Sequence, residues 1–107
     1  MSNKLLQGTV DVLILKTLSQ GPMHGYGVSA FIRRTTDGAL GLEEAALYQA
    51  LHRLEHKKWI EAEWGLSENN RRAKYYQLTD RGRGELHREE SMWLEYAHAV
   101  FKILEPT

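Results

Sequence analysis

A chain of 107 residues has room for one domain with a modest core, so a sizeable closed ligand cavity would need a second subunit. Apolar content of 42% and charged content of 26% exclude wholesale disorder, and the absence of cysteine excludes disulfides, thiolate metal sites and a cysteine nucleophile. The net charge of zero hides an uneven distribution: residues 69–83 carry Arg71, Arg72, Lys74, Arg81 and Arg83 against Asp80, whereas residues 84–107 carry Glu85, Glu89, Glu90, Glu95 and Glu105 against Arg88 and Lys102. Charge acts over roughly 8 Å at physiological salt, so the first stretch suits an anionic partner and the second a solvated helix turned away from it.

The opening MSNKLLQG has no long apolar run, and Val10 to Leu18 is interrupted by Asp11 and Lys16 and is too short to span a bilayer, which points to a soluble cytoplasmic protein. Residues 8–20, GTVDVLILKTLSQ, place Val10, Leu13, Ile14 and Leu18 near helical spacing before Gly21-Pro22 ends the helix. Val12 and Leu15 are surplus apolar surface, expected to be covered by a partner. A second helix is predicted over 25–36, with Tyr26, Val28, Phe31 and Ile32 inward, Arg33 and Arg34 at its C-terminal end where cations complement the dipole, and Asp37-Gly38 closing it.

Residues 43–57 form the clearest helix, with Leu47, Leu51 and Leu54 on one stripe. The opposite face carries Ala45, Gln49, His52 and His56, flanked by Arg53 and, on the other side of the stripe, Tyr48. Ile60, Ala62 and Trp64 alternate with Glu61 and Glu63, which predicts a half-buried strand, and Ala73 to Leu78 predicts a second. The connection between them, Gly65 to Arg72, is longer than a tight hairpin turn. Thr79-Asp80 can cap a last helix running to about Leu104, in which Leu86, Trp93, Ala97, Val100 and Leu104 follow a seven-residue pattern.

Three helices, then two strands joined by a basic loop, is the order of a winged helix-turn-helix domain, in which the third helix enters the major groove of DNA and the wing tip touches flanking backbone or minor groove. The predicted fold is therefore mainly α with a two-stranded β-hairpin: a winged helix-turn-helix over residues 1–80, and a C-terminal dimerisation helix over 81–107 packed on the same single domain. The recognition-helix candidates are Ala45, Ala46, Tyr48, Gln49, His52 and Arg53, with Gln49, His52 and Arg53 able to meet base edges. The wing candidates are Arg71, Arg72 and Lys74 for phosphates, with Asn69 and Asn70 shaping the turn, since asparagine tolerates left-handed backbone. Each feature has a bland reading as solvated surface, and the case rests on their conjunction.

Catalysis is not expected. Gly25-Tyr26-Gly27-Val28-Ser29-Ala30 fits G-x-G-x-x-A but follows a helix and a Gly-Pro break instead of a strand. His52 and His56 are at metal-ligand spacing without a third ligand, there is no nucleophile elbow, and no cofactor is implied.

The segments VLILKTLSQGPMHGYG, ALYQALHRLEHKKWIEAEWG and SENNRRAKYYQLTDRGR resemble, in order, pieces of the PadR family of bacterial transcriptional regulators, and together cover most of residues 5–83. The resemblance implies a dimeric winged-helix repressor of the short subgroup with a single C-terminal helix, binding a pseudo-palindromic promoter site in double-stranded DNA. It also makes Tyr48 a DNA contact. The sequence departs from the family pattern where Ala45-Ala46 stand in place of a glycine and a hydroxyl residue, and where Gln49 replaces a common proline. Some members hold flat aromatic effectors between subunits near a tryptophan of the last helix. That comparison makes Leu86, Trp93, Tyr96, Ala97, Val100, Phe101 and Leu104 candidates for a dimer seam or a small aromatic effector's pocket.

Overall fold

The protein is described by a computed structural model covering residues 7–105. Residues 1–6, where the expected winged-helix domain begins and where most of the opening MSNKLLQG falls, lie outside that range, as do 106–107. The elements are α1 (Gln7–Leu18), β1 (Met23–His24), α2 (Gly25–Thr35), α3 (Glu44–His56), β2 (Ile60–Leu66), β3 (Arg72–Leu78) and α4 (Asp80–Leu104). Helices α1, α2 and α3 enclose the core around Ile14, Leu15, Val28, Leu51 and Leu54, with Ile60 closing it from β2. Each of these large aliphatic side chains contributes roughly 1.5–3 kcal/mol by leaving water.

The element boundaries have local causes. Gly21 (φ 137°) turns the chain out of α1 in a backbone region closed to most side chains. His24 then caps α2, its Nδ1 accepting from the Gly27 N–H at 2.9 Å. Asp37 (φ 53°) and Gly38 (φ 83°) end α2, and the Gly38 N–H returns to the Arg33 carbonyl at 2.8 Å. Thr79 caps α4: its Oγ1 accepts from the Gly82 N–H at 2.9 Å and donates to the Lys58 carbonyl at 2.8 Å, tying the start of α4 to the end of α3. Gly82 lies so close to that junction that a Cβ there would sit 1.9 Å from the Trp59 carbonyl oxygen.

The expected hairpin is one part of a three-stranded antiparallel sheet, ordered β1-β3-β2. Strand β1, with Met23 opposite Tyr76 and His24 opposite Tyr75, consists of two residues and so has no periodicity for a sequence reading to detect. The β2–β3 register pairs Ile60 with Leu78 and Leu66 with Arg72.

The expected partner cover for Val12 and Leu15 is corrected: both are buried within this chain. Leu86 is corrected likewise, since at 7% exposure it belongs to the core and offers no surface to a dimer seam or an effector pocket. Leu86 follows its helix's apolar pattern and Val12 and Leu15 fall outside theirs, yet all three are buried in this chain, because periodicity alone cannot distinguish a neighbouring element from a second chain.

Candidate nucleic-acid interface

Helix α3 turns Leu47, Ala50, Leu51 and Leu54 inward and leaves Ala45, Gln49, His52 and His56 exposed, with Ala46 half-buried beside them. Tyr48 leans from this helix toward the start of α2. A Cβ at Gly25 would lie 2.7 Å from the Tyr48 hydroxyl, so glycine is what lets the phenol rest against the first turn of α2. Beside it stands Tyr26, which the sequence pattern assigned to the interior and which is 76% exposed. At about 100° per residue Tyr26 stands about 200° around α2 from Val28 and about 240° from Ile32, so once those two face the core Tyr26 faces solvent.

Opposite the two tyrosines lies the wing. Its turn is built as the asparagines implied: Asn70 adopts φ 60°, its N–H donates to the Ser67 carbonyl at 2.9 Å, and the Ser67 N–H donates to the Arg71 carbonyl at 2.8 Å. Asn69, Asn70, Arg71 and Arg72 are all exposed there. Lys74 is lower on β3, with Nζ 3.4 Å from Glu55 Oε1 on α3 and 5.6 Å from the centroid of the Tyr76 ring. It fastens the wing to α3 as well as lending charge. Between wing and helices runs an open groove of about 630 Å³ whose walls include Tyr26, Tyr48, Trp64, Arg71, Arg72 and Lys74.

Tyr76 closes the base of the groove. Burial pushes its phenol above the ordinary value, with Lys74 opposing and Glu55 and Tyr48 adding to the rise. The ring therefore stays neutral at physiological pH and serves as packing.

Arg53 is the sequence candidate whose surroundings differ most from expectation. Its guanidinium bonds Asp11 on α1, with the two side chains 29% and 8% exposed, and its Nε is buried without a partner among the described residues. The charge is turned inward and joins α3 to α1. Helical projection placed Arg53 on the flank of the outer face; a long side chain can fold back from such a position, and the carboxylate that draws it lies 42 residues earlier.

The last helix has its own exposed apolar stripe. Trp93, Val100 and Leu104 of the seven-residue pattern are exposed, as are the further seam candidates Tyr96 and Phe101, while Ala97 is half-buried and Met92, Leu94 and Ile103 widen the apolar surface. The Trp93 indole N–H donates to Thr9 Oγ1 at 2.8 Å, and Lys16 meets Glu90 at 3.2 Å, so the middle of α4 is anchored to α1.

A family profile described as the transcriptional regulator PadR-like family matches residues 14–88. The chain belongs to this family. A PadR-like protein is a transcriptional regulator and not an enzyme. This PadR-like chain is 30% identical over 101 residues to a Lysinibacillus sphaericus protein, covering 94% of the one and 93% of the other. A transcriptional regulator from Clostridium thermocellum superposes with a TM-score of 0.83 at 31% identity, over 92% of this chain and 96% of that one. A PadR-like transcriptional regulator from Bacillus cereus gives 0.80 at 26% identity, over 95% and 97%. Among the described residues of the PadR-like chain, no helix is long and apolar enough to cross a membrane.

Proposed function

We propose that this PadR-like regulator is a sequence-specific DNA-binding repressor that acts in the cytoplasm as a homodimer on a pseudo-palindromic promoter site. The observation that carries the reading is the convergence of α3, the start of α2 and the wing on one open groove, lined by Tyr26 and Tyr48 together with Arg72 and Lys74. A sugar-phosphate strand matches that chemistry: cations and tyrosine hydroxyls meet phosphate oxygens, and the slim exposed face of α3, with Ala45, Ala46, Gln49 and His52, enters the adjoining major groove. Gln49 and His52 carry base recognition, Gln49 through an amide able to pair with adenine. Arg53 is not part of this set, because its charge is engaged by Asp11.

The exposed apolar stripe of α4, from Trp93 to Leu104, supports the dimer, since a surface of that kind is usually buried against a partner. Two protomers related by a two-fold axis present their α3 helices to half-sites roughly 34–36 Å apart. A promoter so covered is closed to other proteins, which is the proposed mode of repression.

The test is a gel shift of the purified protein against the DNA upstream of its own gene, with random duplex as competitor. A preferred site, bound more weakly as salt rises, is expected. Arg71→Ala with Arg72→Ala should lower affinity for all duplexes alike, whereas Gln49→Ala should change which sequences are preferred. Absence of any preference over random duplex would refute the reading and favour a winged helix that docks an acidic protein surface.

A further inference from the structure

Trp64 lies where a half-buried strand should end in packing, yet it is 56% exposed. The β2–β3 register explains this. Trp64 pairs with Lys74 and Leu66 with Arg72, so Trp64 and Arg72 are diagonal neighbours on the sheet face that turns toward the groove, one step beyond the last pair that touches the core, Ala62 and Tyr76. The guanidinium carbon of Arg72 stands 4.6 Å from the centroid of the Trp64 ring. We propose that Trp64 is the positioning residue of the wing, holding Arg72 by its flat face so that the guanidinium edge is presented to DNA; the proposal rests on the DNA-binding reading of the groove.

Carboxylates and aromatic rings hold a cation at different cost to its hydrogen-bond donors. A carboxylate partner occupies N–H donors, as Glu55 does for Lys74. An aromatic ring attracts the guanidinium through its face and leaves the in-plane N–H donors free for a phosphate or a minor-groove acceptor. Among the described residues Arg72 forms no ion pair, and its guanidinium lies over the Trp64 ring. The stack also lowers the freedom that a long surface side chain gives up on binding. An exposed tryptophan gains little from burial, so restraint of Arg72 gives this one a reason for its position.

The test compares the full-length parent with Trp64→Ala, Trp64→Phe, Arg72→Ala and the Trp64→Ala/Arg72→Ala double variant, measuring equilibrium affinity for the parent's preferred duplex. Trp64→Ala should lose about two- to fivefold per wing, hence roughly four- to twenty-five-fold for a dimer with both wings engaged. Trp64→Phe should restore most of that loss, and Trp64→Ala should cost little more once Arg72 is alanine. In the free protein, the Arg72 side-chain protons should show an upfield ring-current shift by NMR that disappears in Trp64→Ala, which reads the stack without DNA, while cross-strand β2–β3 NOEs retained in Trp64→Ala separate loss of the stack from loss of the wing fold. An equal loss from Trp64→Ala with and without Arg72, or no ring-current shift in the parent, overturns the proposal. A parent that binds no duplex overturns the DNA-binding reading beneath it, which is a different result from unequal binding among the variants.

Discussion

Replacing either member of the Asp11–Arg53 pair tests whether Arg53 holds the fold or reads bases. Removing one partner of a buried ion pair typically costs about 3–5 kcal/mol because the other is left charged and unsolvated. Here the Arg53 side chain keeps 29% of its exposure, so water screens part of the loss, and the Nε that already lacks a partner offers no compensating bond. Asp11→Ala is therefore expected to cost about 2–3 kcal/mol, and Arg53→Ala about 3 kcal/mol because the carboxylate left behind is the more buried of the two. For a domain of this size, 2–3 kcal/mol corresponds to a fall in Tm of roughly 8–15 °C, read by circular dichroism at fixed protein concentration. The double variant should be less destabilised than the two single losses added together, by at least about 1 kcal/mol, since neither charge is then stranded. If Arg53→Ala melts with the parent while the spectrum of bound duplexes changes, Arg53 leaves Asp11 to read DNA and the argument is refuted.

Three further outcomes follow from packing and charge. Gly82→Ala should destabilise by at least about 2 kcal/mol in chemical denaturation, because its Cβ would lie 1.9 Å from the Trp59 carbonyl oxygen and no flexible side chain can yield there. Thr79→Ala should cost about 1 kcal/mol by removing the α4 cap, whereas Thr79→Ser should retain most of that stability. Tyr76 titrates above an unfolded tyrosine because of its burial, so the folded state holds the phenol proton longer. Its contribution is complete below about pH 10 and is lost as pH rises through the folded value, and Tyr76→Phe should therefore lessen the alkaline decline in stability measured by denaturant titration.

The leucine stripe of α3 survives intact from sequence to structure because its period is a local property, and residues three and four apart must share a face whatever surrounds them. The same holds for the Asn70 turn, which needs a left-handed residue, and for the Thr79 cap, which needs a hydroxyl three residues before a free N–H. Local pattern was also enough for the order of the four helices and the two long strands, though not for β1, and for the family, whose motifs are contiguous. Tertiary structure alone decided which candidates share a groove. Packing of α2 against α3 brings Tyr26 and Tyr48 to the same groove, and the β2–β3 register sets Trp64 beside Arg72. It decided as well that Leu86 lies within the chain's own core, and that Arg53 answers a carboxylate distant in the chain instead of the solvent beside it. Periodicity states that a side chain faces something, whereas charge pairing, strand register and the choice between inner core and outer surface depend on residues brought together only when the chain closes on itself.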